Sequence, residues 1–110
     1  MKKIHFIIRN KLYDTDIDFI QEVIAEEYDE YVCYVSPRTN KDFKFKYSFY
    51  DKKTGLMVCT GKNKQELINK YNEVKERYTK IRESKNYKNF IERYEQIKKV
   101  KKEVNVWVIN

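Results

Sequence analysis

Asn63 to Lys102, NKQELINKYNEVKERYTKIRESKNYKNFIERYEQIKKVKK, is more than a third of the chain and contains neither glycine nor proline. Leu67, Tyr71, Val74, Tyr78 and Ile81 recur at alternating intervals of four and three, the one-sided apolar stripe of an amphipathic helix. Asn63 with Glu66 three residues on makes a capping box with Asn in the Ser/Thr place. The stripe fails at Ser84-Lys85-Asn86, and a second one runs through Tyr87, Phe90, Ile91, Tyr94 and Ile97. At about 100° per residue, one straight helix would put the second stripe roughly opposite the first. Either the chain turns near Ser84–Asn86, with Ser84 or Asn86 recapping a second helix, or one long helix offers its far half to a partner. Short helix connections are common, so the turn is the expectation adopted. A straight helix would instead make Tyr87, Phe90, Tyr94 and Ile97 a homodimer seam.

Everything before this stretch reads as what the helices pack on. Ile4, Phe6 and Ile8 alternate with His5, Ile7 and Arg9, a strand with one apolar face. Asp14 or Thr15 caps a predicted helix with Ile17, Ile20, Val23, Ile24 and Tyr28 on one side. Tyr31–Val35 is strand-like, and Ser36–Asn40 is a loop. Phe43, Phe45, Tyr47 and Phe49 then point one way, with Lys44, Lys46, Ser48 and Tyr50 on the outward face. Asp51–Gly55 has hairpin composition, with Gly55 free to take positive φ. Leu56–Thr60 is the returning strand, and Glu103–Ile109 is a last strand expected inside the sheet. The predicted order is β-α-β-β-β-α-α-β, one α+β domain spanning 1–110, with a mostly antiparallel sheet and helices packed on one face.

The 110 residues are enough to bury a core without disulfides or metal. Apolar residues are 41% and aromatics 15%, with Tyr alone occurring ten times. Much of the core must therefore be rings whose hydroxyls find polar partners. No apolar run approaches membrane-spanning length, and the N-terminus lacks a cleavage-site pattern, so the expected location is cytoplasmic. Cys33 and Cys59 fall in strand-like segments without metal-ligand spacing, and are read as buried thiols in a reducing compartment.

Charge is unevenly divided. Residues 12–37 hold eight acidic residues and no Lys or Arg; with +7 for the whole chain, the rest carries +15. The acidic positions Glu22, Glu26, Glu27 and Glu30 lie on the predicted first helix and form a candidate docking surface for a basic protein. Arg38, Lys41, Lys44, Lys46, Lys52, Lys53 and Lys62 are the candidate nucleic-acid contacts, because clustered cations attract phosphate backbones by counterion release. The alternative for such charge is ordinary solvation.

Little points to catalysis. His5 is the only imidazole, and Gly55 and Gly61 are the only glycines, so phosphate-cradling loops and dinucleotide fingerprints are missing. Glu22 with Glu26, or Glu26 with Glu30, would share a helical face and hold a divalent ion for nuclease chemistry, but no third ligand is evident. No cofactor and no metal site are expected.

Two resemblances accompany this reading. KFKYSFYDKKTGLMVCTGKNKQELINKYNEV, Lys44–Val74, resembles the three-strand-plus-helix DNA-binding domain at the N-terminus of arm-type phage integrases, with its YD..TG hairpin. That resemblance implies a sheet entering the major groove, with Lys44, Lys46, Lys52 and Lys53 as contacts. The strand Leu56–Cys59 departs from it by being apolar on both faces. In size, in Lys/Asn/Tyr/Ile-rich composition and in split charge, the chain is similar to small phage anti-defence proteins, including anti-CRISPR proteins. This second resemblance implies a non-enzymatic, stoichiometric inhibitor of a nucleic-acid-handling complex. Direct DNA or RNA binding by the basic sheet face and hairpin is the alternative.

Overall fold

The computed structural model describes residues 3–11, 18–41 and 46–104. Five strands, β1 (Lys3–Lys11), β2 (Asp18–Glu27), β3 (Val32–Val35), β4 (Tyr47–Asp51) and β5 (Met57–Gly61), precede two helices, α1 (Lys64–Arg82) and α2 (Lys85–Val104). The strands form one antiparallel sheet in chain order. The α+β class and the antiparallel sheet are as expected; the element order is so only in part.

The predicted first helix is a strand. β2 pairs with β1 from Lys3↔Glu26 to Lys11↔Asp18. Its apolar residues satisfy a helical period, but β1 needs a partner along its whole length, and β-branched Ile20, Val23 and Ile24 suit a pleated surface. In this register Val23 and Ala25 face inward with Phe6 and Ile8, while Ile24 is partly exposed. The helix cap expected at Asp14 or Thr15 lies outside the described residues. The predicted last strand is also revised: Glu103 and Val104 belong to α2, and 105–110 lie outside the described residues.

The long C-terminal stretch does turn. Asn63 Oδ1 accepts the Glu66 N–H (2.8 Å) and Glu66 Oε2 accepts the Lys62 N–H (2.8 Å), a reciprocal cap on α1. Ser84 Oγ accepts the Tyr87 N–H (3.2 Å) and so starts α2.

Along β3 the side chains alternate between two apolar clusters. Val32 and Tyr34 join Phe49 and α1's Leu67, Tyr71 and Tyr78 on one face. Cys33 and Val35 join Phe6, Ile8, Val23, Ala25, Tyr50 and α2's Tyr94 on the other. The helices thus straddle the sheet, with α1 on one face and α2 at the seam. This geometry exists because the sheet coils: Arg9 N–H, on β1's edge away from β2, donates to the Gly55 carbonyl (2.8 Å). Tyr94 Oη donates to the Ile7 carbonyl on the same edge (2.6 Å), which covers an otherwise open strand edge. Gly55 sits at φ 67°, and a Cβ there would run into the Tyr94 ring and the Ile7 carbonyl. Coiling also buries Ser48 and Tyr50, so the second face of β4 is not the outward basic face expected from its alternation.

The two helices and the β4–β5 hairpin meet at one carboxylate. Asp51 is 2% exposed. Its Oδ1 accepts the N–H groups of Lys53 (2.8 Å) and Thr54 (2.9 Å), forming the hairpin. Tyr78 Oη and Arg82 Nη1 (2.8 Å), both from α1, donate to Oδ2. Tyr87 Oη, from α2, lies 2.9 Å from each oxygen. The Arg82 guanidinium also lies 4.3 Å from the Tyr31 ring centroid and 5.2 Å from that of Tyr87. At the far side of α1, Asp29 Oδ1 accepts the Tyr31 and Val32 N–H groups while Oδ2 accepts Tyr71 Oη (2.7 Å), tying the helix to the β2–β3 turn.

Replacing Asp51 by Ala leaves a guanidinium, two phenols and two backbone donors without their acceptor. Loss of one partner of a buried charged network costs about 3–5 kcal/mol, so Asp51→Ala is expected to lower the urea midpoint by a matching amount. An unchanged midpoint would contradict this role.

Burial, followed by hydrogen bonding to Asp29 or Asp51, pushes the Tyr71, Tyr78 and Tyr87 phenols above their ordinary value, and burial does the same to Tyr94. Raised pKa values mean that the folded chain keeps protons that the unfolded chain loses above about pH 10. Stability is therefore intact below that pH and falls as pH rises further. Alkaline titration should show tyrosinate absorbance and loss of circular dichroism moving together; complete phenol ionisation with the fold intact would refute the assignment. Asp29 acts in the opposite sense. Burial opposes its ionisation, but the Tyr71 hydroxyl and the two backbone donors hold its carboxyl below the ordinary value, so its contribution is lost as pH falls through the folded pKa.

Candidate functional site

Register brings distant cations to one end of the sheet. Val35 pairs with Ser48, and Tyr47 with Gly61, so the loop after β3, the start of β4 and the exit of β5 lie side by side. Arg38, Lys41, Lys46, Lys62 and Lys64 stand there, all exposed. Two rings pack at this end: Tyr47 stacks on Tyr34 with centroids 6.4 Å apart, and Lys64 Nζ lies 5.0 Å from the Tyr34 centroid.

Local bonding fixes this end. Asn40 Oδ1 accepts the Ile24 N–H (2.9 Å), and Nδ2 donates to the Ile24 and Ser36 carbonyls. The loop bearing Arg38 is thereby tied to β2, and Ser36 Oγ accepts the Arg38 N–H (3.1 Å). On the other side, the reciprocal cap at Asn63 fixes the backbone that carries Lys62 and Lys64. Among the described residues, Glu26, opposite Tyr34 in register, and Glu66, 3.9 Å from Lys70, are nearby acids.

The remaining predicted contacts fall elsewhere. Lys52 and Lys53 lie in the hairpin at the opposite end, and Lys52 Nζ is 3.9 Å from Glu27. Lys44 lies outside the described residues. The cations therefore sit on loops, beside strand ends and at the start of α1 rather than along a sheet face.

The acidic set does not form the surface predicted for it. Glu22, Glu26 and Glu27 are on strand β2, and Glu30 is in the turn after it. Glu22 lies 3.3 Å from the exposed His5 ring and shares a face with Glu26, whereas Glu27 is on the other face beside Lys52. Four residues along a strand span about 13 Å, so Glu22 and Glu26 cannot share one ion. Among the described residues no cluster of three or more His, Cys, Asp or Glu is placed to hold a metal. Burial pushes the Cys33 thiol up to about 11, far from a reactive thiolate at neutral pH. Cys59 is also a free thiol.

The dimer stripe is partly used inside the fold. Tyr87 and Tyr94 are buried and Ile97 is half-buried, which leaves Phe90 as the exposed member. Phe90 instead belongs to a feature that the sequence does not reveal, a cleft of about 280 Å³ between the hairpin, α1 and α2. Met57, Val58, Val74 and Ile81 line it with Phe90, above Tyr78 and Tyr87.

No described helix is long and apolar enough to cross a membrane. Comparison of the chain with protein families, with curated proteins and with solved structures finds no match.

Proposed function

We propose that this is a non-enzymatic binding protein that engages the nucleic acid of a nucleic-acid-handling complex through the cationic end of its sheet. One observation carries the reading: five exposed cations, scattered between positions 38 and 64, converge on a single end of the sheet, where Lys64 lies over the Tyr34 ring. Lysines beside a phosphate backbone release counterions, a sequence-independent gain that falls steeply with salt. Backbone contacts of this kind position a protein without reading bases, so the expected preference between sequences is weak. The bonded backbone that carries Arg38, Lys62 and Lys64 matters as much as the number of cations, since preorganised donors lose less freedom on binding. A stoichiometric role in the cytoplasm, as in the phage anti-defence proteins that the chain resembles in character, fits a small binder of this type. Docking of basic protein on an acidic helix loses its support, because the helix is a strand and its carboxylates divide between two faces.

The test is fluorescence anisotropy against random single-stranded DNA, duplex DNA and RNA across a salt series. Binding should weaken linearly in log–log form, and Lys46→Ala with Lys62→Ala should flatten the slope by about two, roughly one for each lost phosphate contact. Lys53→Ala, at the opposite end, should leave the slope unchanged. Absence of binding at low salt, or equal effects of all three substitutions, would defeat the proposal.

A further inference from the structure

The cleft at the other end of the molecule is a separate surface. Met57, Ile81 and Phe90 are 50%, 51% and 39% exposed, and these three of the four large exposed apolar side chains among the described residues all line it. Leaving apolar area in water costs roughly 25 cal/mol per Å², and contiguous exposed apolar area marks an interaction site more reliably than scattered residues do. At about 280 Å³ the cleft is just below the usual range for drug-sized ligands but can take a few side chains of a docked segment.

Its charges narrow the occupant. Among the described residues Asp51 is the only acidic one lining it, and it is buried and committed to the hairpin and helices. Arg77 is exposed at the rim. One helical turn from Arg77 and from Phe90, respectively, stand exposed Lys80 and Arg93, against Glu73 on the same side of α1. A second copy meeting cleft to cleft would face this cationic rim with its own, and each chain carries +7. An occupant with apolar side chains flanked by carboxylates meets both the floor and the rim.

We propose that the cleft between the β4–β5 hairpin, α1 and α2 docks an amphipathic, acidic segment of a partner protein. This surface is separate from the cationic end, since Lys46 precedes β4 and Asp51 closes its other end.

The full chain would be titrated with two fluorescein-labelled helical peptides. Both carry Leu and Phe on one face; one has Glu on the other face and its counterpart has Lys at the same positions. The acidic peptide should bind at least about tenfold more tightly, and Ile81→Ser and Arg77→Glu should each weaken it by about tenfold, the loss of one interface anchor. Lys46→Ala with Lys62→Ala should leave peptide binding unchanged, which keeps this test distinct from failure of the nucleic-acid reading. Circular dichroism checks that the variants fold, and both substituted side chains are exposed. Equal binding of the two peptides, no binding of the acidic one, or its loss in the Lys46/Lys62 variant would overturn the proposal. Two further outcomes would overturn it in favour of another occupant. A change in emission of Trp107, the chain's only tryptophan, on Ile81→Ser would assign the cleft to the chain's own C-terminus. A dimer in sedimentation that Ile81→Ser dissolves would assign it to a second copy.

Discussion

The buried carboxylate of Asp51 is the constraint that the rest of the architecture obeys. An ion in an apolar interior is tolerated only when its oxygens are filled, because removing it from water costs several kcal/mol. Here the filling groups come from three elements: the hairpin backbone, Tyr78 and Arg82 near the end of α1, and Tyr87 near the start of α2. Satisfying one side chain therefore fixes where α1 stops against the sheet and which way α2 leaves it. α2 leaves toward the edge of β1, where Tyr94 bonds the Ile7 carbonyl and the coiled sheet meets its own hairpin. Glycine at position 55 is what lets the backbone and the Tyr94 ring approach at that seam.

The abundance of tyrosine follows from the same design. A core of aliphatic side chains would leave Asp29 and Asp51 only their backbone donors and Arg82, and would remove the hydroxyls that tie the helices to them. Tyr71, Tyr78 and Tyr87 supply apolar area and a hydroxyl in one residue, so each helix is packed and bonded by the same side chain. Burial and bonding favour the neutral phenol, which is also the donor that the carboxylates need.

Local chemistry made some elements legible in the sequence and left others hidden. The break at Ser84–Asn86, the Asn63 cap and the Gly55 turn are all written within a few residues, and all appear in the structure. β2 was hidden because DFIQEVIAEE supports a helical stripe; what decides against it is the partner needed by β1, a non-local fact that a window of ten residues does not contain. The alternation in β4 marks a strand from Tyr47 onward, but the outward face expected for Ser48 and Tyr50 is lost because the sheet coils. The candidate surfaces were less legible still. Arg38, Lys46 and Lys62 become neighbours only through strand register, and Lys52 and Lys53, near them in sequence, fall at the far end of β4. Met57 and Ile81 read as ordinary strand and helix-stripe positions, and Phe90 as core or dimer seam; only the corner between helices and hairpin leaves them open to water.

The two proposed surfaces differ physically in how each is held. At the cationic end the fixing bonds are Asn40 to β2 and Asn63 to Glu66, and they act on backbone, leaving long lysine side chains free to follow an irregular anion. At the cleft end Asp51 acts on side chains, and it immobilises Tyr78 and Tyr87 as a preformed apolar floor. Flexible charge over rigid backbone suits a polyanion whose phosphates vary in position. A fixed apolar floor suits a partner that must present a defined shape. A short strand joins the two ends, with Lys46 before it and Asp51 closing it, so β4 sets the spacing at which two different ligands could be held by one small domain.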